Sequence, residues 1–120
     1  YEEKTGSVNI PSPSVFNKLN KMLPSDFEWI KTRKRLIDET RIQHHCVWSY
    51  APKITSDKCA IYSYYDGNSE YGDTPKRYTI EFMRKSNGRY YVEQVQGRYD
   101  KASSNKLYVY LQNYLEKTQK

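Results

Sequence analysis

Tyrosine most constrains what this chain can build. Its 13 copies outnumber the three phenylalanines and two tryptophans together, in a sequence that is only 37% apolar. A tyrosine ring buries a large surface, but its hydroxyl demands water or a partner. The expected core is therefore a half-buried sheet with rings at its margins, or one with a face left open for a contact. A length of 120 residues fits one domain. Folding buries roughly two-thirds of the surface of a chain this size.

Patterning along the chain gives an α+β order. Residues 1–11 are polar and read as an extended arm, and 12–120 as a single domain. Ser12-Pro13 has the form of a helix start. Val15, Phe16, Leu19, Met22 and Leu23 then form one apolar stripe that Pro24 ends. Ser25-Asp26-Phe27-Glu28 has the capping-box pattern and predicts a second helix from Asp26. From Thr40 onward β-formers take over, with the boundary between Lys34 and Thr40 undecided. His44–Tyr50 and Lys58–Tyr65 read as paired strands, as do Arg77–Lys85 and Arg89–Gln96. Ser103 or Ser104 caps a terminal helix carrying Leu107, Leu111, Tyr114 and Leu115 on one face. The expectation is an antiparallel sheet of about four strands, one or two N-terminal helices and a C-terminal helix.

Cys46 and Cys59 are the only cysteines. A turn at residues 51–54 pairs Tyr50 with Thr55 and sets Cys46 directly opposite Cys59, the separation a cross-strand disulfide needs. Such a bond closes a loop of about 14 residues, worth about 3 kcal/mol in the chain-entropy model. Together with a first residue that is not methionine, it predicts an exported domain: periplasmic, envelope-anchored as a lipoprotein, or secreted. No Asn-X-Ser/Thr acceptor occurs, which fits a bacterial envelope. The rival readings are free thiols, or a metal site with His44 as a further ligand. Metal is disfavoured because zinc wants four close ligands and His45 points to the opposite strand face.

Recognised chemistry is sparse. Gly67-Asn68-Ser69-Glu70-Tyr71 lacks the final glycine of a nucleophile elbow, and neither a phosphate loop nor a dinucleotide fingerprint occurs. Asp66, Asn68, Glu70 and Asp73 miss an EF-hand at its glycine and its final glutamate, and read as a solvated acidic loop. No cofactor, metal or catalytic residue is expected, and the chain reads as a non-enzyme. The net charge of +6 is spread over both halves. Its densest run, Lys31, Arg33, Lys34 and Arg35, is a candidate for an anionic surface, with the wet face of a helix as the plainer reading.

A two-residue Asn87-Gly88 turn pairs Arg84 with Tyr91, Phe82 with Glu93 and Ile80 with Val95. That register leaves Tyr90 and Val92 on the outer face, extended by Tyr62 and Tyr64, as a partner-binding surface. The leading expectation is a non-enzymatic binding module. It takes another protein as partner: a toxin, an envelope enzyme or a secretion component. That is the role of an immunity or inhibitor protein, or of an accessory protein in secretion or conjugation. The alternatives are a nucleic-acid or anionic-surface binder, and a small enzyme with an unrecognised site.

Overall fold

The computed structural model describes residues 14–43, 58–97 and 104–119. A 3-10 turn over Ser14–Phe16 runs into helix α1 (Asn17–Met22) and buries Phe16 and Leu19. Leu23 is already extended, with ψ 148°, because the proline after it excludes helical geometry. The Ser12-Pro13 start lies outside the described residues.

The second helix begins later than the capping pattern suggests. Glu28–Trp29 forms a short strand, β1, and helix α2 spans Arg33–Gln43. Thr32 rather than Ser25 supplies the cap, its Oγ1 accepting the Arg35 backbone N–H at 3.0 Å. Thr40 and Ile42, expected in a strand, are helical. The expected strand His44–Tyr50 lies outside the described residues.

Three longer strands complete the sheet: β2 (Cys59–Asp66), β3 (Lys76–Arg84) and β4 (Tyr90–Gln96), followed by helix α3 (Asn105–Thr118). The four strands form an antiparallel meander in the order β1-β2-β3-β4. Ser104 caps α3 as expected, its side chain accepting the Leu107 N–H at 3.1 Å. The chain is thus α+β. Cys59 is buried, Cys46 lies outside the described residues, and no disulfide is seen among the described ones.

The β3–β4 register departs from the two-residue turn. Lys85 donates to the Arg89 carbonyl at 2.8 Å, closing a loop of Ser86, Asn87 and Gly88. In that loop only Gly88 has positive φ, at 88°. This is the longer hairpin loop that ends in a left-handed glycine, and it pairs Arg84 with Tyr90 and Phe82 with Val92. A bulge at Glu93 absorbs one residue, so Ile80 still meets Val95, as the sequence predicted. Tyr90, Val92 and Val95 therefore share one face, and Tyr91 turns to the other.

That face carries the main core. Ala60, Tyr62 and Tyr64 on β2 stand opposite Phe82, Ile80 and Tyr78 on β3. Phe16, Leu19 and Leu23 cover them from α1, and Leu107, Leu111 and Leu115 from α3. Tyrosine hydroxyls reach out of this layer to bonded partners. Tyr62 donates to Asn20 Oδ1 at 2.9 Å, Tyr90 to the Val15 carbonyl and Tyr114 to the Met22 carbonyl. Three rings thereby fasten a helix of six residues, too short to hold itself in water.

The outer edge of β4 is closed by glutamines of the terminal helix and its cap. The Gln119 amide accepts from the Tyr90 N–H at 2.6 Å and donates to its carbonyl at 2.9 Å, and Gln112 accepts from the Val92 N–H at 3.0 Å. These side chains stand in for a neighbouring strand and protect an edge otherwise open to pairing. Gln119→Ala is expected to cost about 1–2 kcal/mol, a fall of about 3–8 °C in melting temperature for a domain this size. It should also increase self-association in sedimentation velocity. Unchanged melting and a monomeric profile would show that the edge needs no cap.

Candidate functional site

Tyr62, Tyr64, Tyr90 and Val92, expected as an exposed partner-binding face, are all buried in the main core. The one-residue difference in register near the Asn87-Gly88 turn is the reason for β4, and the cover of α1 and α3 is the reason for β2. Leu107, Leu111 and Leu115 of α3 belong to the same buried cluster. The Tyr62 hydroxyl is held well above its ordinary range by burial and by the nearby Tyr90.

The basic run is also divided by the fold. Lys31 places its Nζ 4.8 Å from the Trp29 ring centre, a cation–π contact. Arg33 opens α2, and Lys34 is exposed on it. Arg35 turns inward instead. Its Nε and Nη2 donate to both Glu28 carboxylate oxygens at 2.9 Å, and its Nη1 to Glu39 at 3.0 Å. With Arg35 committed to carboxylates, the run does not present four free cations.

Those contacts belong to a polar layer between α2 and the second sheet face. Glu39 is fully buried, and Thr79 donates to its other oxygen at 2.5 Å. Gln43 donates to the Arg77 carbonyl at 2.8 Å, Arg77 to Ser63 Oγ at 2.8 Å, and Gln94 to buried Glu81 at 3.0 Å. The Arg35 hydrogen bonds hold the Glu28 carboxyl below its ordinary range, against a smaller opposing effect of burial. The same pairing raises Arg35. Among the described residues, apolar contact is narrower here than on the first face, resting on Ile30, Leu36, Ile37 and Ile61.

An open aromatic surface lies elsewhere, where the loop after β2 meets α3. From the core outward, Phe27 stacks on Tyr64 with ring centres 4.4 Å apart, and Tyr64 meets Tyr71 edge-on at 6.2 Å. Tyr71 lies 5.6 Å from Tyr110, which lies 6.1 Å from Tyr114. Tyr110 is 42% exposed and Val109 beside it 45%, while Tyr71 and Tyr114 are half-buried.

The backbone that carries Tyr71 is held in place. Buried Asp66 was expected in a solvated loop, but its two carboxylate oxygens accept the Glu70 and Tyr71 N–H groups at 2.9 Å each. Ser69 takes a left-handed φ of 53° to make that turn, a conformation uncommon for residues with a side chain. The Tyr71 carbonyl accepts from the Ser104 hydroxyl, which also caps α3. Burial pushes the Tyr64 hydroxyl up to about 12, helped by Tyr71 and by the charges of Asp66, Asp26 and Glu70. Tyr71 is raised by burial, then by Tyr110, Glu70, Asp66 and Asp26. Sequence reasoning placed Tyr114 on the apolar stripe but missed Tyr71 and Tyr110. Their only local signal is the four-residue step from Tyr110 to Tyr114 on a helix flank.

Among the described residues, no group of three or more His, Cys, Asp or Glu is placed to hold a metal ion. His44 and His45 lie outside them. No helix among the described residues is long and apolar enough to cross a membrane. No protein-family model, curated protein or solved structure matches this chain.

Two measurements check the polar layer. Glu39→Ala leaves Thr79 and one arm of Arg35 without their acceptor, and is expected to cost about 2–3 kcal/mol in urea unfolding. Glu39→Gln, which keeps an acceptor oxygen, should cost less. For Glu28 the lowered pKa fixes the sign. Its contribution is complete above the unfolded-state value and disappears as pH falls through the folded one. Glu28→Gln should therefore be less stable than the parent at pH 7, by under about 1 kcal/mol for so exposed a pair. The two should converge once the pH is below the folded-state value, and a gap that persists there would assign the effect to packing.

Proposed function

We propose that this chain is a non-enzymatic protein-binding module whose contact surface is centred on Tyr71, Tyr110 and Tyr114. The observation that carries this reading is three neighbouring tyrosine rings at the surface, on a loop and a helix start whose backbone is held by hydrogen bonds. Tyrosine gives large contact area with few rotatable bonds, so a ring already fixed in place loses little entropy on binding. It is also enriched among residues that dominate interface energies. Val109 adds exposed apolar surface on the same helix.

An immunity or inhibitor protein, or an accessory protein of a secretion or conjugation apparatus, fits a small domain of this kind. An exported location is part of the proposal and rests on the cysteine pair. Thiol titration under denaturing, non-reducing conditions tests it. No reactive thiol supports export, and two titratable thiols remove its basis.

The contact surface is tested by photo-crosslinking. A benzophenone amino acid at position 110 should give a discrete adduct in extracts of the producing organism. The same group at position 34, on exposed α2, should not. Excess parent protein should compete the adduct away, and Tyr71→Ala should compete at least tenfold less well. Identical adducts from both positions, or none from position 110, would overturn the reading.

A further inference from the structure

This inference rests on the binding surface proposed above and concerns the chemistry of what binds there. The protein carries a net charge of +6, yet carboxylates gather on the loop side of the tyrosine cluster. Asp26 and Glu70 are exposed, and Asp66 lies buried beneath the loop. All three act electrostatically on the hydroxyls of both Tyr64 and Tyr71. These carboxylates come from two separate stretches of chain, the α1–β1 connection and the β2–β3 loop, which converge on one aromatic group.

Aromatic faces attract cations through the ring quadrupole, more strongly when the site is partly desolvated. Carboxylates beside those rings add a second attraction of the same sign and give the cation hydrogen-bond acceptors. An arginine suits both, because its planar guanidinium stacks on a ring while its edge donates to a carboxylate. The acidic half of the cluster is the loop side, since Lys106 and Lys117 lie on the same flank of α3 as Tyr110. Carboxylates of a partner would be repelled at the loop side, so charge complementarity selects a basic one.

We infer that the Tyr71–Tyr110 surface takes a basic segment of a partner protein, with an arginine or lysine set over the rings on the side that carries Asp26 and Glu70. Asp66 has a different part. Its oxygens are occupied by the loop's own N–H groups, so it positions Tyr71 and is not offered as a contact.

The test titrates the full chain, 15N-labelled, with a capped octapeptide of alternating arginine and alanine. A matched glutamate–alanine peptide serves as control. The arginine peptide should give saturable shifts centred on residues 26, 70, 71 and 110, and the glutamate peptide should leave them unmoved. D26N/E70Q changes only exposed side chains and should weaken the arginine peptide at least fivefold with its spectrum otherwise retained. Tyr110→Ala should do the same. Equal binding by D26N/E70Q, or arginine-peptide shifts centred elsewhere on the surface, overturns the inference. A dimer in sedimentation velocity that Tyr110→Ala dissolves would assign the surface to a second copy of the chain and also overturn it. A positive crosslink at position 110 with no effect of the arginine peptide removes the basic partner alone. Failure of the crosslink removes the binding module itself.

Discussion

The arrangement of the sheet depends on one residue in β4. The loop of Ser86, Asn87 and Gly88 sets the start of β4 one place away from the register of a two-residue turn, and the Glu93 bulge restores that register before Val95. Side chains alternate with period two, so a shift of one residue exchanges the faces of a strand. Without the longer loop, Tyr91 and not Tyr90 would face the helices. Without the bulge, Val92 and Val95 could not share a face. Gly88 makes the loop possible, because its φ of 88° lies where residues with a side chain are strained.

The two faces of the sheet are built on different physics. On the first, apolar helices cover rings whose hydroxyls end on the Val15 and Met22 carbonyls and on Asn20. Composition alone does not distinguish that use of tyrosine from an open contact surface, which is why Tyr62, Tyr64 and Tyr90 read as exposed and prove to be core. On the second, α2 attaches through Glu39, Thr79, Gln43 and the Glu28–Arg35 pair, and each buried polar group there must be satisfied individually. Specificity on that side comes from directed bonds more than from buried area.

Features encoded within a few residues were legible in the sequence. The stop at Pro24, the cap at Ser104 and the leucine stripe of α3 are local, and all are found. The β3–β4 hairpin was legible as a hairpin, but not in register, because Asn87-Gly88 is compatible with both loop lengths. β1 was not legible, since a strand of Glu28–Trp29 has no periodicity to detect. Thr40 and Ile42 favour strands locally, yet they extend a helix that Thr32 caps and Glu28 ties down through Arg35. The surface tyrosine cluster escaped for a related reason. Tyr71 and Tyr110 lie far apart in sequence and meet only once the loop and α3 are packed.

Asp66 links that meeting point to the core. Its backbone ends β2, opposite Lys76, while its carboxylate gathers the N–H groups of Glu70 and Tyr71. The Tyr71 carbonyl in turn receives the Ser104 hydroxyl that starts α3, and α3 carries Tyr110 and Tyr114. A sheet strand, a loop and a helix start thus share one short chain of hydrogen bonds. The position of Tyr71 relative to Tyr110 is therefore set by buried groups rather than by the surface itself. A binding surface built this way can change its exposed side chains without losing its geometry, because Asp66 and Ser104 hold the rings in place and neither needs to touch a partner.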